Sequence, residues 1–184
     1  MGYAEALRKA WDEAANLGGD VSSVKFLADT YDVDPKSKTV FSSSCNIPAK
    51  EQVSIIVLHY LIKRLKLKTL PEPTGKWISF NELEGGDGYY PAFKKRTIDV
   101  VLRKFKDNPE ALLDLVGRFS AKRAQAGDFS VVIEPFEGAP VLIAIWKGDE
   151  EFGPEANIHF DASISKIFCT EDIVILTEFL THAL

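Results

Sequence analysis

Three consecutive acidic side chains follow a continuous apolar stretch of this 184-residue chain. Residues 141–146 contain no charged group, and Asp149, Glu150 and Glu151 come shortly after them. Carboxylates that crowd together raise one another's pKa, so they can supply a general acid or bind a divalent cation. The end of a rigid strand is also a position at which a fold can expose such groups. Asp149 and Glu150 are therefore candidate catalytic residues.

A fourth acid and a histidine extend this candidate site. Residues 156–161 alternate between apolar and polar side chains, which predicts a strand with His159 and Asp161 on one face. With Asp149 they form a mixed nitrogen and oxygen set that zinc, iron or manganese accepts. In the alternative that the sequence favours, Asp149 fixes a turn through its side chain and Asp161 caps the next segment. Asp161 is nevertheless kept as a candidate catalytic residue, and Asp149, His159 and Asp161 are kept as candidate metal ligands.

Glycine and aromatic residues suggest a second kind of site, a ligand pocket. A short strand beginning at Trp77 leads into residues 81–88, where three glycines in four positions predict a loop. The spacing differs from that of phosphate- or dinucleotide-binding glycine loops. A pocket beside Gly85 and Gly86 would be lined by aromatic side chains, namely Trp77, Tyr89, Tyr90 and Trp146. Core packing of both tryptophans is the alternative that the sequence favours.

The spacing of apolar residues predicts the elements that position these groups. Helices are expected over residues 3–17, 20–31, 48–65 and 89–106, from Pro109, and from about Thr170. Strands are expected at 39–42, 77–80, 129–134, 141–146 and 156–161, the third and fourth forming a hairpin. The strand at 141–146 is apolar throughout and is expected to be central. The helix over 48–65 is apolar around more than half of its circumference, so it is also expected to be central.

Composition is typical of a soluble globular protein, and cytoplasmic residence is the default expectation. Hydrophobic residues make up 46% and charged residues 27% of the sequence, which suffices for the core of one domain. No apolar run approaches the roughly 18–20 residues that cross a bilayer, and no secretory signal is recognisable. The two cysteines, Cys45 and Cys169, are expected to be unreactive thiols, and two cysteines cannot form a four-thiolate zinc or iron–sulfur centre.

Charge is unevenly distributed along the chain, whose formal net charge is −5. Residues 60–125 hold 14 Lys and Arg against 8 Asp and Glu, whereas residues 129–184 hold 2 against 10. Basic clusters at 63–68 and 94–96 are compatible with phosphate or nucleic-acid binding. Because no nucleic-acid motif accompanies them, a solvated helix face is the preferred interpretation. No nucleic-acid or membrane partner is expected, and the oligomeric state is left open.

A set of motifs spread along the chain is recognisable as a whole. The motif residues are Trp77–Leu83, Gly85, Gly86, Tyr89, Phe93, Arg96, Gly127, Asp128, Trp146, Gly148–Phe152, Phe160, Asp161, Glu171 and Asp172. Together they resemble a bacterial and archaeal family, the domain-of-unknown-function family 3786. The resemblance covers most of the chain and is densest from Trp77 onward; the combined string is specific, whereas each piece alone is weak.

The resemblance implies no established activity. Some members of that family carry an additional cysteine-rich iron–sulfur segment and come from anaerobes. This chain lacks such a segment, so no iron–sulfur cluster is expected in it, and the identity of any other cofactor is left open. His159 lies outside the family motif.

The predicted fold is α+β, a small and mainly antiparallel sheet packed with several helices. A single domain would span residues 1–184, with a helical N-terminal part over about 1–70 and the motif-bearing part over about 77–184. The sheet is expected to use strands near Thr39, Trp77, Phe129, Val141 and Ala156.

Three functional hypotheses follow. The first is a non-catalytic binding or accessory module of anaerobic metabolism that binds a small ligand or a protein partner. Its binding residues would be Trp77, Glu82, Gly85, Gly86, Tyr89, Trp146, Asp149 and Glu150. The second is a metal-dependent hydrolase or transferase that uses the carboxylates of Asp149, Glu150 and Asp161, with His159 as a further candidate. The third is a structural subunit in which the motif only shapes a turn.

Overall fold

The computed structural model describes residues 3–18, 20–119 and 121–184. Contacts divide the chain into two compact units, one ending at Pro71 and the other beginning at Glu72. Both contain helices and an antiparallel sheet, which confirms the predicted α+β class. Within the described ranges, no helix is both long enough and apolar enough to cross a bilayer.

The first unit consists of two helices and a four-stranded sheet whose strands lie in chain order. The elements are α1 (Tyr3–Asn16), β1 (Ser22–Phe26), β2 (Asp29–Asp34), β3 (Thr39–Ser42), β4 (Ile47–Pro48) and α2 (Glu51–Leu67). The predicted central helix is confirmed as α2, in which the consecutive residues Ile56, Val57 and Leu58 are fully buried. It begins at Glu51 because Pro48 belongs to β4, an edge strand in which a residue without an N–H is tolerated.

The helix predicted over residues 20–31 is wrong, because this segment forms the β1–β2 hairpin. Val24 and Phe26 are buried while Lys25 between them is exposed, so burial repeats every two residues, as in a strand. The prediction combined apolar residues from both sides of the hairpin turn. At that turn Leu27 adopts a left-handed conformation with φ of 54°, which interrupts regular structure.

The second unit contains a five-stranded antiparallel sheet and three helices. The elements are β5 (Trp77–Ser79), α3 (Gly86–Arg96), α4 (Ile98–Phe105), β6 (Lys122–Arg123), β7 (Phe129–Ile133), β8 (Val141–Trp146), β9 (Glu155–Asp161) and α5 (Thr170–Ala183). The strand order is β5-β9-β8-β7-β6, so the predicted central strand β8 and its hairpin with β7 are both confirmed. The expectation that the strand at Thr39 joins this sheet is wrong, because β3 belongs to the sheet of the first unit.

The predicted helix over residues 89–106 is two helices, α3 and α4, that meet at Thr97. The backbone of Thr97 leaves helical geometry, with φ of −130° and ψ of −69°, and its hydroxyl donates to the Phe93 carbonyl at 2.8 Å. The predicted glycine loop is shorter than expected because α3 already begins at Gly86. The segment from Pro109 to Gly117 forms 3-10 turns instead of the expected α-helix.

Aromatic contacts hold α3 against one face of the sheet. Phe93 stacks on Phe80 with ring centroids 3.9 Å apart and meets the edge of Phe160 on β9 at 6.2 Å. Side chains alternate along a strand, so the opposite face of β9 carries His159. His159 pairs with Ser79 of β5 and is half-buried.

Gly86→Ala is expected to lower the free energy of unfolding by about 3 kcal/mol, the upper end of the range for overpacking. A Cβ at this position would lie 2.0 Å from the carbonyl oxygen of Phe80, so the backbone has to shift. Gly88→Ala is the matched control in the same helix, because a Cβ there meets nothing within 4 Å. The control is expected to be neutral or more stable by up to about 1 kcal/mol. Denaturant unfolding measures the stability of both variants. Equal stabilities of Gly86→Ala and Gly88→Ala would contradict the tight packing of Gly86.

Candidate functional site

Asp149 holds a tight turn just beyond the end of β8. Its Oδ1 accepts hydrogen bonds from the backbone N–H groups of Glu151 at 2.9 Å and Phe152 at 2.7 Å, and its own N–H donates to the Phe152 carbonyl at 2.8 Å. The N–H groups of Phe152 and Glu151 stabilise the carboxylate and lower the pKa of Asp149. A carboxyl group with a lowered pKa is ionised near neutral pH, which suits a turn better than a general acid.

Asp161 is buried at the end of β9, where four donors surround its carboxylate. Oδ1 accepts from the N–H of Thr74 at 2.9 Å, the hydroxyl of Thr74 at 3.0 Å and the N–H of Ser163 at 2.9 Å, and Oδ2 accepts from the N–H of Gly75 at 2.7 Å. Burial alone would raise the pKa of Asp161, but these hydrogen bonds outweigh it and lower the pKa to about 2. This arrangement joins three chain segments and caps the 3-10 turn over Ala162–Lys166.

The strand register separates the two aspartates. Trp146, which precedes Asp149, pairs with Glu155 at the start of β9, whereas Asp161 is its last residue. Six residues of strand span about 20 Å, so the carboxylates of Asp149 and Asp161 lie near opposite ends of the sheet. Within the described ranges, no group of three or more His, Cys, Asp or Glu side chains is placed to hold a metal ion. The predicted carboxylate cluster therefore does not converge on one cleft.

His159 lies on β9 between Glu155 and Asp161, so the intervening length of the strand also separates it from Asp149. Burial lowers the pKa of His159, and the nearby charge of Glu82 opposes that shift only in part. Its Nδ1 is buried and has no hydrogen-bond partner among the described residues. The oxygens of Asp161, two positions further along β9, are occupied by Thr74, Gly75 and Ser163.

Glu82, Gly85 and Gly86 shape the junction between β5 and α3. Glu82 Oε2 accepts from the backbone N–H of Ser79 at 2.7 Å and from its hydroxyl at 3.1 Å, a capping arrangement that lowers the pKa of Glu82. Gly85 adopts φ of 73°, a left-handed conformation that favours glycine, and precedes the first turn of α3. These three predicted ligand residues thus shape the local backbone, Glu82 through its hydrogen bonds, Gly85 through its conformation and Gly86 through its close approach to Phe80.

Trp77 and Trp146 do not share one pocket with the glycines. They occupy the same face of the sheet, but Trp77 pairs with Asp161 and Trp146 pairs with Glu155, about 20 Å apart along β9. Gly127 lies directly against the ring of Trp146, since a Cβ there would come within 3.0 Å of it. Trp146 therefore packs on backbone at its end of the sheet.

The turn formed by Asp149 borders an open cleft of about 410 Å³. Its lining residues are Lys106, Pro109, Lys147, Gly148, Asp149, Phe152, Gly153 and Pro154. Neither Gly85 nor Gly86 is among them. Phe152, which closes the turn, is 70% exposed, and the ammonium group of Lys147 lies 4.9 Å from the centre of the Phe129 ring.

A larger cleft of about 510 Å³ lies where α3, α4 and α5 meet. Its lining residues are Ala92, Lys95, Arg96, Val100, Arg103, Glu178 and His182. We call it the basic cleft, because three cationic side chains, Lys95, Arg96 and Arg103, line it together with a single acid. The apolar side chains of Ala92 and Val100 complete the lining.

Arg96 is the most firmly held cation of the basic cleft. Its Nη1 donates to the hydroxyl of Tyr89 at 2.7 Å, and its Nη2 donates to Glu178 Oε2 at 2.8 Å. Arg96 Nε forms an ion pair with the other oxygen of Glu178, so the guanidinium meets the carboxylate side-on with two nitrogens. Burial alone would lower the pKa of Arg96, but Glu178 and Tyr89 outweigh it and raise the pKa.

The remaining cations of the cleft are not neutralised. Lys95 and Arg103 are exposed and make no ion pair with any other described residue. Lys104, beside Arg103, donates to the carbonyls of Thr181 at 3.1 Å and His182 at 3.0 Å, at the end of α5. The pKa of Lys104 is lowered by burial and by the positive charges of Arg118 and Arg103. The same field that hinders protonation of Lys104 attracts anions.

The sequence predicts a solvated helix face at the basic run 94–96 and does not point to Arg103, Glu178 or His182 as site residues. The signal that was available is the excess of positive charge in the central part of the chain. Tyr89 is the predicted ligand residue that belongs to this network, through its hydrogen bond to Arg96.

Asp161→Asn is expected to cost about 3 kcal/mol of unfolding free energy at pH 7, because an amide nitrogen would face backbone N–H donors. Folding lowers the pKa of Asp161 from about 3.9 in the unfolded chain to about 2. The ionised group therefore stabilises the fold above about pH 4, and this contribution disappears as the pH falls toward 2.

Denaturant unfolding of Asp161→Asn between pH 7 and pH 2 checks this prediction. The difference from the wild-type protein should shrink with falling pH. Asp107→Asn, an exposed aspartate of the same unit, is the control and should leave stability nearly unchanged. A difference for Asp161→Asn that is constant across the pH range would contradict the assignment.

Asp149→Ala is expected to lower the melting temperature by a few degrees, because the turn loses both side-chain hydrogen bonds. Glu150→Ala, which removes an exposed acid at the next position, should leave the melting temperature unchanged. Differential scanning calorimetry distinguishes them. Identical melting temperatures for the two variants would show that Asp149 has no structural task in the turn.

Comparison with known proteins identifies the family. No curated protein and no solved structure matches the chain. A family profile described as a domain of unknown function, DUF3786, matches residues 6–183, nearly the whole sequence. The motif residues, which extend from Trp77 to Asp172, lie within this match. The chain therefore belongs to the DUF3786 family of uncharacterised domains.

Proposed function

We propose that this protein is a non-catalytic binding module whose ligand is a small molecule bearing a phosphate or carboxylate group. The observation that carries the proposal is the basic cleft, where the cations Lys95, Arg96 and Arg103 line a concave space with one acid. A cleft of about 510 Å³ falls in the size range of small-molecule sites, roughly 300–1,000 Å³.

The chemistry of the lining favours an oxyanion. Arginine presents a planar set of N–H donors that matches carboxylate and phosphate oxygens, and lysine adds a mobile point charge. Arg96 is already oriented by Tyr89, so little side-chain entropy is lost when a ligand binds to it. Ala92 and Val100 offer apolar contact to the carbon skeleton of the ligand.

This proposal keeps the binding-module hypothesis but moves the site away from most of the residues predicted for it. The contacts of Glu82, Gly86, Asp149 and Asp161 support structural tasks for these residues. The separation of Asp149 from Asp161 gives no support to a hydrolase or transferase built on their carboxylates. An accessory role in anaerobic metabolism stays a prediction from the family resemblance.

Titration calorimetry at low ionic strength, with inorganic pyrophosphate and citrate as separate probes, tests the proposal. We expect saturable binding of at least one probe, and Arg103→Gln should weaken it about fivefold, the effect of one partly solvated charge. Lys122→Gln removes one exposed cation of the same unit outside the cleft and should change the affinity less than twofold.

Comparison of the two probes separates phosphate from carboxylate chemistry. Absence of saturable binding for both probes would refute the proposal. Equal weakening by Arg103→Gln and Lys122→Gln would also refute it, because the attraction would then come from overall charge rather than from the cleft.

A further inference from the structure

Glu178 is the only acidic side chain among the residues that line the basic cleft, and it binds the best-oriented cation there. Its side chain lies on α5 and is 22% exposed. Both of its oxygens face Arg96, one toward Nε and the other toward Nη2 at 2.8 Å. The remaining cations of the lining, Lys95 and Arg103, have no such partner among the described residues.

This side-on geometry is the one in which arginine receives the oxygens of a carboxylate or phosphate ligand. The carboxylate of Glu178 therefore occupies the edge of Arg96 that an incoming oxyanion would use. Glu178 is part of the protein, so its effective concentration at Arg96 is high and it competes with any ligand in solution.

Resting on the function proposed above, we infer that Glu178 is a built-in competitor that a multivalent oxyanion displaces from Arg96. Glu178 carries one negative charge and contacts one cation of the cleft, Arg96. A ligand with several negative charges can take the Nε and Nη2 edge of Arg96 and also satisfy Lys95 and Arg103. The cleft thereby discriminates against singly charged carboxylates, whose attraction does not exceed that of Glu178.

Displacement is feasible because water and ligand reach the pair from the side of Arg96, which is 47% exposed, although Glu178 Oε1 itself is buried. An ion pair between partly exposed side chains contributes little net stability, since water solvates both partners when they separate. Tyr89 continues to hold Arg96 through Nη1 at 2.7 Å, so the guanidinium stays oriented for the ligand when Glu178 leaves.

Calorimetry with inorganic pyrophosphate on the wild-type protein and on Glu178→Gln tests the inference. Glutamine keeps the shape of the side chain but removes the competing charge, and we expect the affinity for pyrophosphate to rise about fivefold. Asp99→Asn is the matched control, because it removes an acid from the Lys94–Asp99 ion pair, outside the cleft lining, and should change the affinity less than twofold. Acetate should show no saturable binding to the wild-type protein.

The outcomes separate this inference from the proposed function. If the wild-type protein binds pyrophosphate and Glu178→Gln binds it equally or more weakly, Glu178 only positions Arg96 and the inference is overturned. If Asp99→Asn tightens binding as much as Glu178→Gln does, overall charge is the cause and the inference again fails. If neither the wild-type protein nor Glu178→Gln binds pyrophosphate or citrate, the proposed function itself fails. Binding by Glu178→Gln alone would also overturn the inference, because pyrophosphate would then fail to displace Glu178 from Arg96 in the wild-type protein.

A second measurement does not depend on the folding of the Glu178 variant. The Nε–H resonance of Arg96 in the wild-type protein, assigned by its loss in Arg96→Lys, reports the partner of that N–H group. Saturating pyrophosphate should shift this resonance, and the same concentration of acetate should leave it in place. A resonance that stays unchanged when pyrophosphate binds elsewhere in the protein would overturn the displacement.

Discussion

The buried carboxylate of Asp161 is the interaction on which the arrangement of the second unit depends. It joins the approach to β5 at Thr74 and Gly75, the end of β9, and the 3-10 turn that begins after it. Because β5 is an edge strand of three residues, its ladder hydrogen bonds alone hold it weakly. Once β5 is anchored, Phe80 follows at a fixed position, and the ring of Phe93 stacks on it to place α3.

Most of the residues that carry the family resemblance form junctions between strands, turns and helices rather than a reaction centre. Glu82 caps the turn after β5, Gly86 lets α3 approach the Phe80 carbonyl, and Asp128 accepts the Lys147 N–H at 2.7 Å beyond β8. Two motif residues do more than this. Tyr89 and Arg96 project from α3 into the network of the basic cleft, so the motif connects the scaffold to the site that we propose.

Local patterns were sufficient to predict much of the fold. The uninterrupted apolar strand β8, its hairpin with β7 and the apolar helix α2 were correct because their patterns admit one interpretation. The hairpin at residues 22–34 was missed because its apolar residues fit a helical period when they are read across the turn at Leu27. Local patterns could not predict the basic cleft, because Arg96 and Glu178, which contact each other there, are 82 positions apart in the sequence. Residue type alone predicts the turn role of Asp149, because aspartate readily accepts hydrogen bonds from N–H groups two and three positions ahead.

The pairing of β5 with β9 has a consequence for the order in which the chain folds. Trp77 pairs with Asp161, which lies 84 positions later, whereas the strands β1 to β4 pair only with their neighbours in sequence. Short-range pairings form early because little loop entropy is lost, and distant ones form late. During synthesis the first unit can complete its sheet before β9, the partner strand of β5, has been translated. Until β9 emerges, the short β5 segment has an unpaired edge, and its three-residue length limits how strongly that edge can pair with another chain.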